Sequence, residues 1–472
     1  MLVLVHQGGQ YQHQDQQRRG NMTDANKDDS NEETGLRIGP LWMLPGVRPI
    51  NIAALFFASF FGIAVMAYMN AGQPIIFKEI LGIDESEFGR LAGSLTFYHE
   101  IVVLIFIAPI GALSDRIGRR PIYMAAFLLI GLGHFLYPLA ESTEQLTIYR
   151  LVYALGTAGA SAMLAAVAND YPVEKSRAKM IAATMLFNAI GMVLLTMFFR
   201  SLPEWYQGEG FSPEWAVTYT RWTVAAMCVV VAVVAILGLK KGAPEQVKKR
   251  EPMLSTLKVG LAAARNPRIA LSYGAALVSR GDLAVLSTFF TTWLFLEGTQ
   301  RGMSTTEAMA AGLKFYVIIQ AAALPCAVVM GFVLDKIDRV FGLVIAMVLA
   351  SIGYLSLAFV GDPLGSEMYY AAVLIGLGEI TANLSAISLV GKEAPVKGRG
   401  AVIGMFSLFG ALGILLVAKA GGELFDNVAR VGPFILVGVA NVVIFVWAVL
   451  VLRFAPKNYV YPEPAETATG PA

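Results

Sequence analysis

The chain has 472 residues, of which 56% are hydrophobic and 15% are charged, and its formal net charge is +2. Because a soluble globular protein carries about 25% charged residues, much of this chain's exterior cannot face water. The small net charge gives no indication of a nucleic-acid partner. The two cysteines, Cys228 and Cys326, lie in apolar runs and leave no basis for a disulfide framework. The composition therefore indicates an integral membrane protein.

The N-terminal tail, residues 1–45, is predicted to be disordered, because its first 35 or so residues are polar and rich in Gln and Asn. It contains no apolar core of a signal peptide. Met22 opens an ordinary polar leader, so we expect translation to start there and residues 1–21 to be an artefact of start-site assignment. Residues 456–472 form a second predicted tail.

Twelve apolar runs follow the tail, each about as long as the 20 residues that cross a bilayer core. They are too long and too uniformly apolar for barrel strands, so we predict an all-α membrane protein with about twelve transmembrane helices. The predicted spans are Ile52–Ile76, Gly89–Leu113, Ile122–Leu139, Leu146–Ala168, Met180–Phe199, Trp222–Leu239, Ile269–Leu294, Ala308–Leu334, Val340–Phe359, Met368–Leu389, Ala401–Ala420 and Phe434–Phe454.

The loops alternate in charge along the chain. One set is basic and includes Arg116, Arg120, Lys175, Lys248, Lys336 and Lys392. The other set is acidic and includes Glu85, Glu144, Glu209, Glu297 and Asp362. Short loops rich in Lys and Arg stay in the cytoplasm, so we predict that the basic loops and both termini are cytoplasmic. The expected location is the cell membrane, most simply a bacterial inner membrane.

An internal repeat divides the chain into halves. The segment from Gly111 to Arg120 is echoed from Gly331 to Arg339, and the two aspartates of the pair, Asp115 and Asp335, are 220 residues apart. A second match relates the residues after Arg177 to those after Arg399, at an offset of 222. We predict an N-terminal half at 46–240, a cytoplasmic linker at 241–266 and a C-terminal half at 267–455.

The first repeat copy matches the pattern G-x-x-x-D-R-x-G-R-[RK], and on this loop the chain resembles the major facilitator superfamily over about residues 45–455. Its motif residues are Gly111, Asp115, Arg116, Gly118, Arg119 and Arg120. The second copy keeps Gly331, Asp335 and Arg339 but carries Asp338 in place of the glycine. The resemblance implies two pseudo-symmetric six-helix halves.

The resemblance also implies roles for the motif. Asp115 would lock a cytoplasmic gate by approaching the eleventh span near Gly400, and Asp335 would do the same near Met180. The arginines have a second interpretation as topology anchors. The fifth span lacks proline, which weakens a multidrug antiporter interpretation, since such members often carry a Gly-Pro motif there.

Ionisable residues at membrane depth mark functional sites by default. The candidates for substrate binding or proton coupling are His99, Glu100, Arg280, Asp282, Glu379 and Asn383. Arg280 and Asp282 are two residues apart, so they point to different helix faces and each needs its own partner. Arg150 lies near the outer end of its span, where snorkelling explains it. The alternative for the carboxylates is a buried ion pair that only fixes helix packing, and for His99 a hydrogen-bonded spacer.

No metalloprotease, P-loop or nucleophile-elbow motif is present, so we expect neither an enzyme nor a metal or cofactor site. The buried charges favour a secondary active transporter that moves a small organic solute by alternating access, coupled to protons and functional as a monomer in the lipid bilayer. Two alternatives remain open: an efflux antiporter for drug-like compounds, and a non-transporting sensor on a transporter scaffold.

Overall fold

The computed structural model describes residues 35–242, 253–395 and 398–456. The predicted tails up to residue 34 and from residue 457, including Met22, lie outside the described residues, as does most of the linker around Lys248. Nearly all of the described chain is helical, apart from one short hairpin.

Within the described residues, twelve helical segments are long and apolar enough to cross a membrane, which confirms the predicted fold class. We number them spans 1–12. They are Pro49–Ala71, Glu85–Ile117, Arg119–Leu139, Thr143–Asp170, Glu174–Gly208, Pro213–Gly238, Pro267–Gln300, Thr305–Lys336, Arg339–Phe359, Glu367–Glu393, Arg399–Asn427 and Gly432–Phe454.

The span ends follow helix-capping chemistry. Proline occupies the first turn of spans 1, 6 and 7, where its missing N–H costs nothing. Ser142 caps span 4 by accepting a hydrogen bond from the Gln145 N–H, and Ser304 forms a reciprocal capping box with Glu307 at span 8. These residues fix where each helix begins.

Two spans are interrupted in ways that the sequence analysis did not predict. Span 1 ends at Ala71 rather than at Ile76, because the chain breaks at Gly72 and restarts as the short helix Pro74–Glu79. Span 7 consists of the α-helices Pro267–Val285 and Thr291–Gln300, joined by a π-helical turn at Leu286–Phe290. Such turns are frequent at functional sites.

The predicted disorder up to residue 45 is wrong for residues 35–45. Strands β1 (Arg37–Ile38) and β2 (Leu41–Trp42) form an antiparallel hairpin, and Met43 bridges to Pro172 in the loop between spans 4 and 5. The Trp42 N–H donates to the Ser176 hydroxyl at 3.0 Å, and Met43 is fully buried. Burial of apolar side chains in this stretch offsets the conformational entropy lost on ordering. The prediction missed them because it rested on the polar composition of the tail as a whole.

The repeat is visible in the structure as two equivalent six-span halves, as predicted. Span 3 is a helix, Arg119–Leu136, followed by a 3₁₀ turn, Tyr137–Leu139; span 9 repeats both elements 220 residues later as Arg339–Ser356 and Leu357–Phe359. Between the halves, the linker contributes a helix, Met253–Ala263, that packs on the start of span 11, where Gly260 lies against Ala401 and Met405.

The halves pack closely on the acidic side, which carries Glu85, Glu209 and Glu297. Spans 2 and 11 meet there without space for side chains: a Cβ at Gly93 would overlap the Ala418 carbonyl oxygen. Asp426 of span 11 accepts hydrogen bonds from the Gly89 and Arg90 N–H groups at 2.8 and 2.7 Å.

The opposite, basic side carries Arg116, Lys175 and Lys336, and there the halves part. A cavity of about 490 Å³ lies between Met185 of span 5 and the walls of spans 8 and 10, and Asp335 opens onto it. Gly400 and Gly404, at the same end of span 11, have open space where a side chain would project. The structure is therefore closed on its acidic side and open on its basic side.

Candidate transport site

The first motif copy forms an ion-pair network at the basic end of spans 2–4. Arg119 donates to Asp115 at 2.6 Å, to Asp170 at the end of span 4 at 2.8 Å, and to the Ser114 hydroxyl. The motif arginine thus ties three helix ends together, with Asp115 as one of its carboxylate partners.

The second motif copy keeps only part of this arrangement. Arg339 pairs with Asp335 at 3.0 Å, and the Asp335 side chain is 76% exposed, facing the open side. Asp338, which replaces the motif glycine, caps span 9 through the Val340 and Phe341 N–H groups. The aspartate that replaces the motif glycine therefore caps a helix, and it also takes part in a second contact.

That contact is an ion-pair cluster around the buried Arg268 at the start of span 7, which reaches Asp338 at 3.3 Å and Glu393 of span 10 at 3.1 Å. Partial burial opposes ionisation of Asp338, but the hydrogen bond from Val340 and the charge of Arg268 outweigh it, so its pKa lies below the ordinary aspartate value. The lowered pKa stabilises the folded state at neutral pH, and this stability is lost as pH falls through the folded-state pKa.

Arg280 and Glu100 belong to different halves and lie within electrostatic reach of each other. Arg280 belongs to span 7 and is exposed, although it lies midway along the span, because it faces the opening between the halves. Its stem packs against Gly410 of span 11. Its charge interacts with that of Glu100, a half-buried residue of span 2 in the other half. This pair places opposite charges on the two halves.

Asp282 points away from that opening, as its two-residue spacing from Arg280 predicts. It is fully buried and accepts hydrogen bonds from Asn441 of span 12 at 3.0 and 3.1 Å. Arg280 is thus exposed, whereas Asp282 lies inside the C-terminal half.

Glu379 lies in the same interior, on span 10. It is 4% exposed, and within the described part of the chain its Oε2 atom has no hydrogen-bond partner. Tyr316 and Tyr354 lie within electrostatic reach of its carboxyl, as Tyr354 does of Asp282. We call Asp282, Glu379, Tyr316, Tyr354 and Asn441 the carboxyl cluster. Asn383, one turn beyond Glu379, is half-buried.

The N-terminal half contains a matching cluster that the sequence analysis largely missed. Arg150 was expected to snorkel, but it is 1% exposed and donates to Asn70. Arg221 is fully buried, donates to the Gly72 carbonyl, and lies 3.4 Å from the His134 ring. We call Arg150, Arg221, His134, Asn70 and Tyr137 the arginine cluster. Arg221 immediately precedes the predicted start of span 6, so it was treated as a loop residue, whereas His134 stood inside a predicted span and could have been found.

His99 lies next to the arginine cluster. Its Nε2 atom is 3.4 Å from the Thr157 hydroxyl, and its ring centroid is 5.5 Å from that of Tyr153. These contacts fit the hydrogen-bonded spacer, and the Nδ1 atom is buried without a partner among the described residues.

Comparison with known proteins agrees with this architecture. The family model described as Major Facilitator Superfamily matches residues 54–418 and 322–470. The chain belongs to the major facilitator superfamily. It is therefore a multi-pass secondary transporter and not an enzyme.

Two curated relatives and one solved structure show the range of the similarity. Magnetosome protein MamH of Paramagnetospirillum magneticum (strain AMB-1) is 26% identical over 85% of this chain and 92% of its own. The sialic acid transporter NanX of Escherichia coli K12 is 24% identical over 72% of this chain and 78% of its own. The crystal structure of the nucleoside transporter NupG superposes with a TM-score of 0.67 at 13% identity, covering 86% of this chain and all of NupG.

Proposed function

We propose that the protein is a proton-coupled secondary transporter of a small polar organic solute. The observation that carries the proposal is Glu379, a carboxyl buried in the middle of a span, one oxygen of which has no hydrogen-bond partner among the described residues. A lone carboxylate in a low-dielectric interior is so costly that the neutral, protonated form is favoured. Such a group can take up a proton from one side and release it when the solvation around it changes.

The pair of Arg280 and Glu100 supplies the second part of the mechanism. Because the two residues belong to different halves, their interaction depends on how the halves are placed. A solute that binds Arg280 competes with Glu100 for the same charge, and the released carboxylate can take a proton. This competition couples solute binding to proton binding without covalent chemistry.

The charged opening also favours this function over the alternatives. A drug exporter would be expected to have an aromatic, Met-rich binding region, whereas this protein carries the exposed Arg280 and the half-buried Glu100 at membrane depth. The relatives NanX and NupG are named for sialic acid and nucleosides, which are polar organic solutes. A non-transporting sensor would have little reason to keep the buried charges.

The test is uptake into proteoliposomes with and without an imposed proton gradient, using a mixed panel of sugars, nucleosides and organic acids. Accumulation that requires the gradient supports the proposal. Equilibration without accumulation would leave an uncoupled facilitator.

We further propose that the basic side is cytoplasmic, so that the structure is open to the cytoplasm. In a Cys326→Ser background, an impermeant thiol reagent added to whole cells is expected to label Glu209→Cys and to spare Glu174→Cys; both positions are exposed. Cys228 is buried and can stay. The reverse pattern of labelling would overturn this orientation.

The gate role of Asp115 gives a second expectation. Asp115→Asn should shift the population toward the basic-open state, since the lock loses its charge; a bias of 1.4 kcal/mol is about tenfold in population. Electron–electron resonance distances between labels at Lys175 and Lys392 would lengthen. The control is Glu174→Gln, which removes an exposed carboxylate on the same side. Unchanged distances with normal transport would reduce the motif to a topology signal.

A further inference from the structure

The arginine cluster holds two buried positive charges, Arg150 and Arg221. Among the residues that the structure describes, neither of them forms an ion pair with a carboxylate. Burial of an unpaired charge in the membrane interior is costly, so each guanidinium needs another source of compensation.

Arg221 obtains its compensation from the protein. It lies at the end of span 1 and donates to the Gly72 carbonyl, with Met69 also in reach. The C-terminal end of a helix carries partial negative charge, which suits a cation. The rings of Tyr68 and Tyr137 lie 5.0 and 5.2 Å from the guanidinium carbon. Arg221 therefore acts as the cap of the broken first span.

Arg150 shares the aromatic part of this environment, since Tyr137 lies within electrostatic reach of it, but it does not cap the end of span 1. One of its nitrogens donates to the Asn70 side chain, and its guanidinium carbon lies 5.2 Å from the Tyr153 ring centroid. Its Nε and Nη1 atoms are buried with no partner among the described residues. Unused guanidinium donors of this kind match the oxygens of a carboxylate or a phosphate.

Arg150 lies next to contacts that join the two halves. Asn70 of span 1, its partner, also donates to Ser287 of span 7 in the other half at 3.4 Å. A second contact joins Thr96 of span 2 to Thr288 of span 7 at 3.1 Å. Ser287 and Thr288 belong to the π-helical turn. These contacts join the halves on the acidic side, so they must separate when that side opens, and their separation uncovers Arg150.

We propose that Arg150 binds an anionic group, a carboxylate or a phosphate, of the transported solute. This inference rests on the proposed transport function and narrows its substrate class to organic anions. Because the carboxyl cluster lies in the other half, an anion at Arg150 and a proton at Glu379 would let each half neutralise its own buried charge in the loaded protein.

The experiment uses proteoliposomes, a proton gradient and the small-molecule fraction of a bacterial cell extract, with the accumulated compounds identified by mass spectrometry. Wild-type protein is expected to accumulate anions. Arg150→Gln should reduce that accumulation about tenfold or more, as loss of a charge-assisted hydrogen bond implies, and Arg150→Lys should retain part of it. The control is Lys314→Gln, which removes a cation that lies over the Phe315 and Tyr369 rings.

The outcomes separate the two proposals. Carboxylic acids or phosphate esters in the wild-type vesicles support the site and show which group it takes. Accumulation of neutral or cationic compounds, or of anions undiminished in Arg150→Gln, overturns the anion site while leaving transport intact. Accumulation of nothing overturns transport itself. Melting temperatures for each variant show whether the protein is folded, and Arg150→Lys keeps the test valid if Arg150→Gln does not fold.

Discussion

Glu379→Gln is expected to abolish solute accumulation driven by a proton gradient while leaving solute exchange intact. Glutamine is close to the protonated carboxyl in size and polarity, so it mimics the loaded state and cannot release a proton. Exchange of solute across the membrane requires no proton release, whereas accumulation does.

The measurement compares counterflow with gradient-driven uptake in vesicles of the purified protein. Asp282→Asn and Glu100→Gln serve as parallel variants, because each removes a different carboxyl at membrane depth. Asp282 accepts two hydrogen bonds from Asn441, and Glu100 lies within electrostatic reach of Arg280. Glu379 is therefore the carboxyl whose ionised form has the fewest stabilising contacts among the described residues. If all three neutral variants still accumulate solute in response to the gradient, proton coupling through these residues is falsified.

Gly93→Val is expected to stop transport by holding the acidic side open. Span 2 crosses span 11 so closely at Gly93 that a side chain would occupy the position of the Ala418 carbonyl oxygen. Backbone cannot yield as a flexible side chain can, and overpacking of this kind costs about 1–3 kcal/mol or more. About 1.4 kcal/mol changes a population tenfold, so the state described here would become a minor one.

Labels at Glu87 and Glu423, both exposed on the acidic side, would report longer distances in this variant than in the wild type. The matched control is Gly208→Val on the same side of the membrane, since no atom lies within 4 Å of a Cβ added there. Unchanged distances and normal transport in Gly93→Val would mean that the acidic side does not close by this contact.

The sequence predicted the architecture because membrane spans are set by long apolar runs and the repeat offset is preserved in the loop motifs. It could not predict the breaks inside spans. Gly72 and the turn at Leu286–Phe290 lie within apolar segments that read as continuous helix, and the break at Gly72 is stabilised by Arg221, some 150 residues away along the chain.

The sequence indicated candidate residues by their type but could not indicate their arrangement. Buried charges such as Asp282 and Glu379 stand out in an apolar run, yet the face each occupies depends on how the helices are rotated. Correspondence between halves would have helped: Tyr354 and Asn441 lie 220 residues beyond His134 and Arg221. The same helix positions thus hold neighbours of the buried carboxyls in the C-terminal half and the basic residues His134 and Arg221 in the N-terminal half.

The hairpin of β1 and β2 has a practical consequence for anyone who fuses a tag or reporter to this protein. Lys240 at the end of span 6 donates to the Pro45 carbonyl at 3.3 Å, and the Trp42 N–H donates to Ser176 at the start of span 5, so residues 35–45 contact both spans. A fusion joined upstream of Gly35 leaves these contacts intact. A truncation that extends through Trp42 removes these contacts. A loss of expression after such a truncation would reflect the missing contacts rather than the tag.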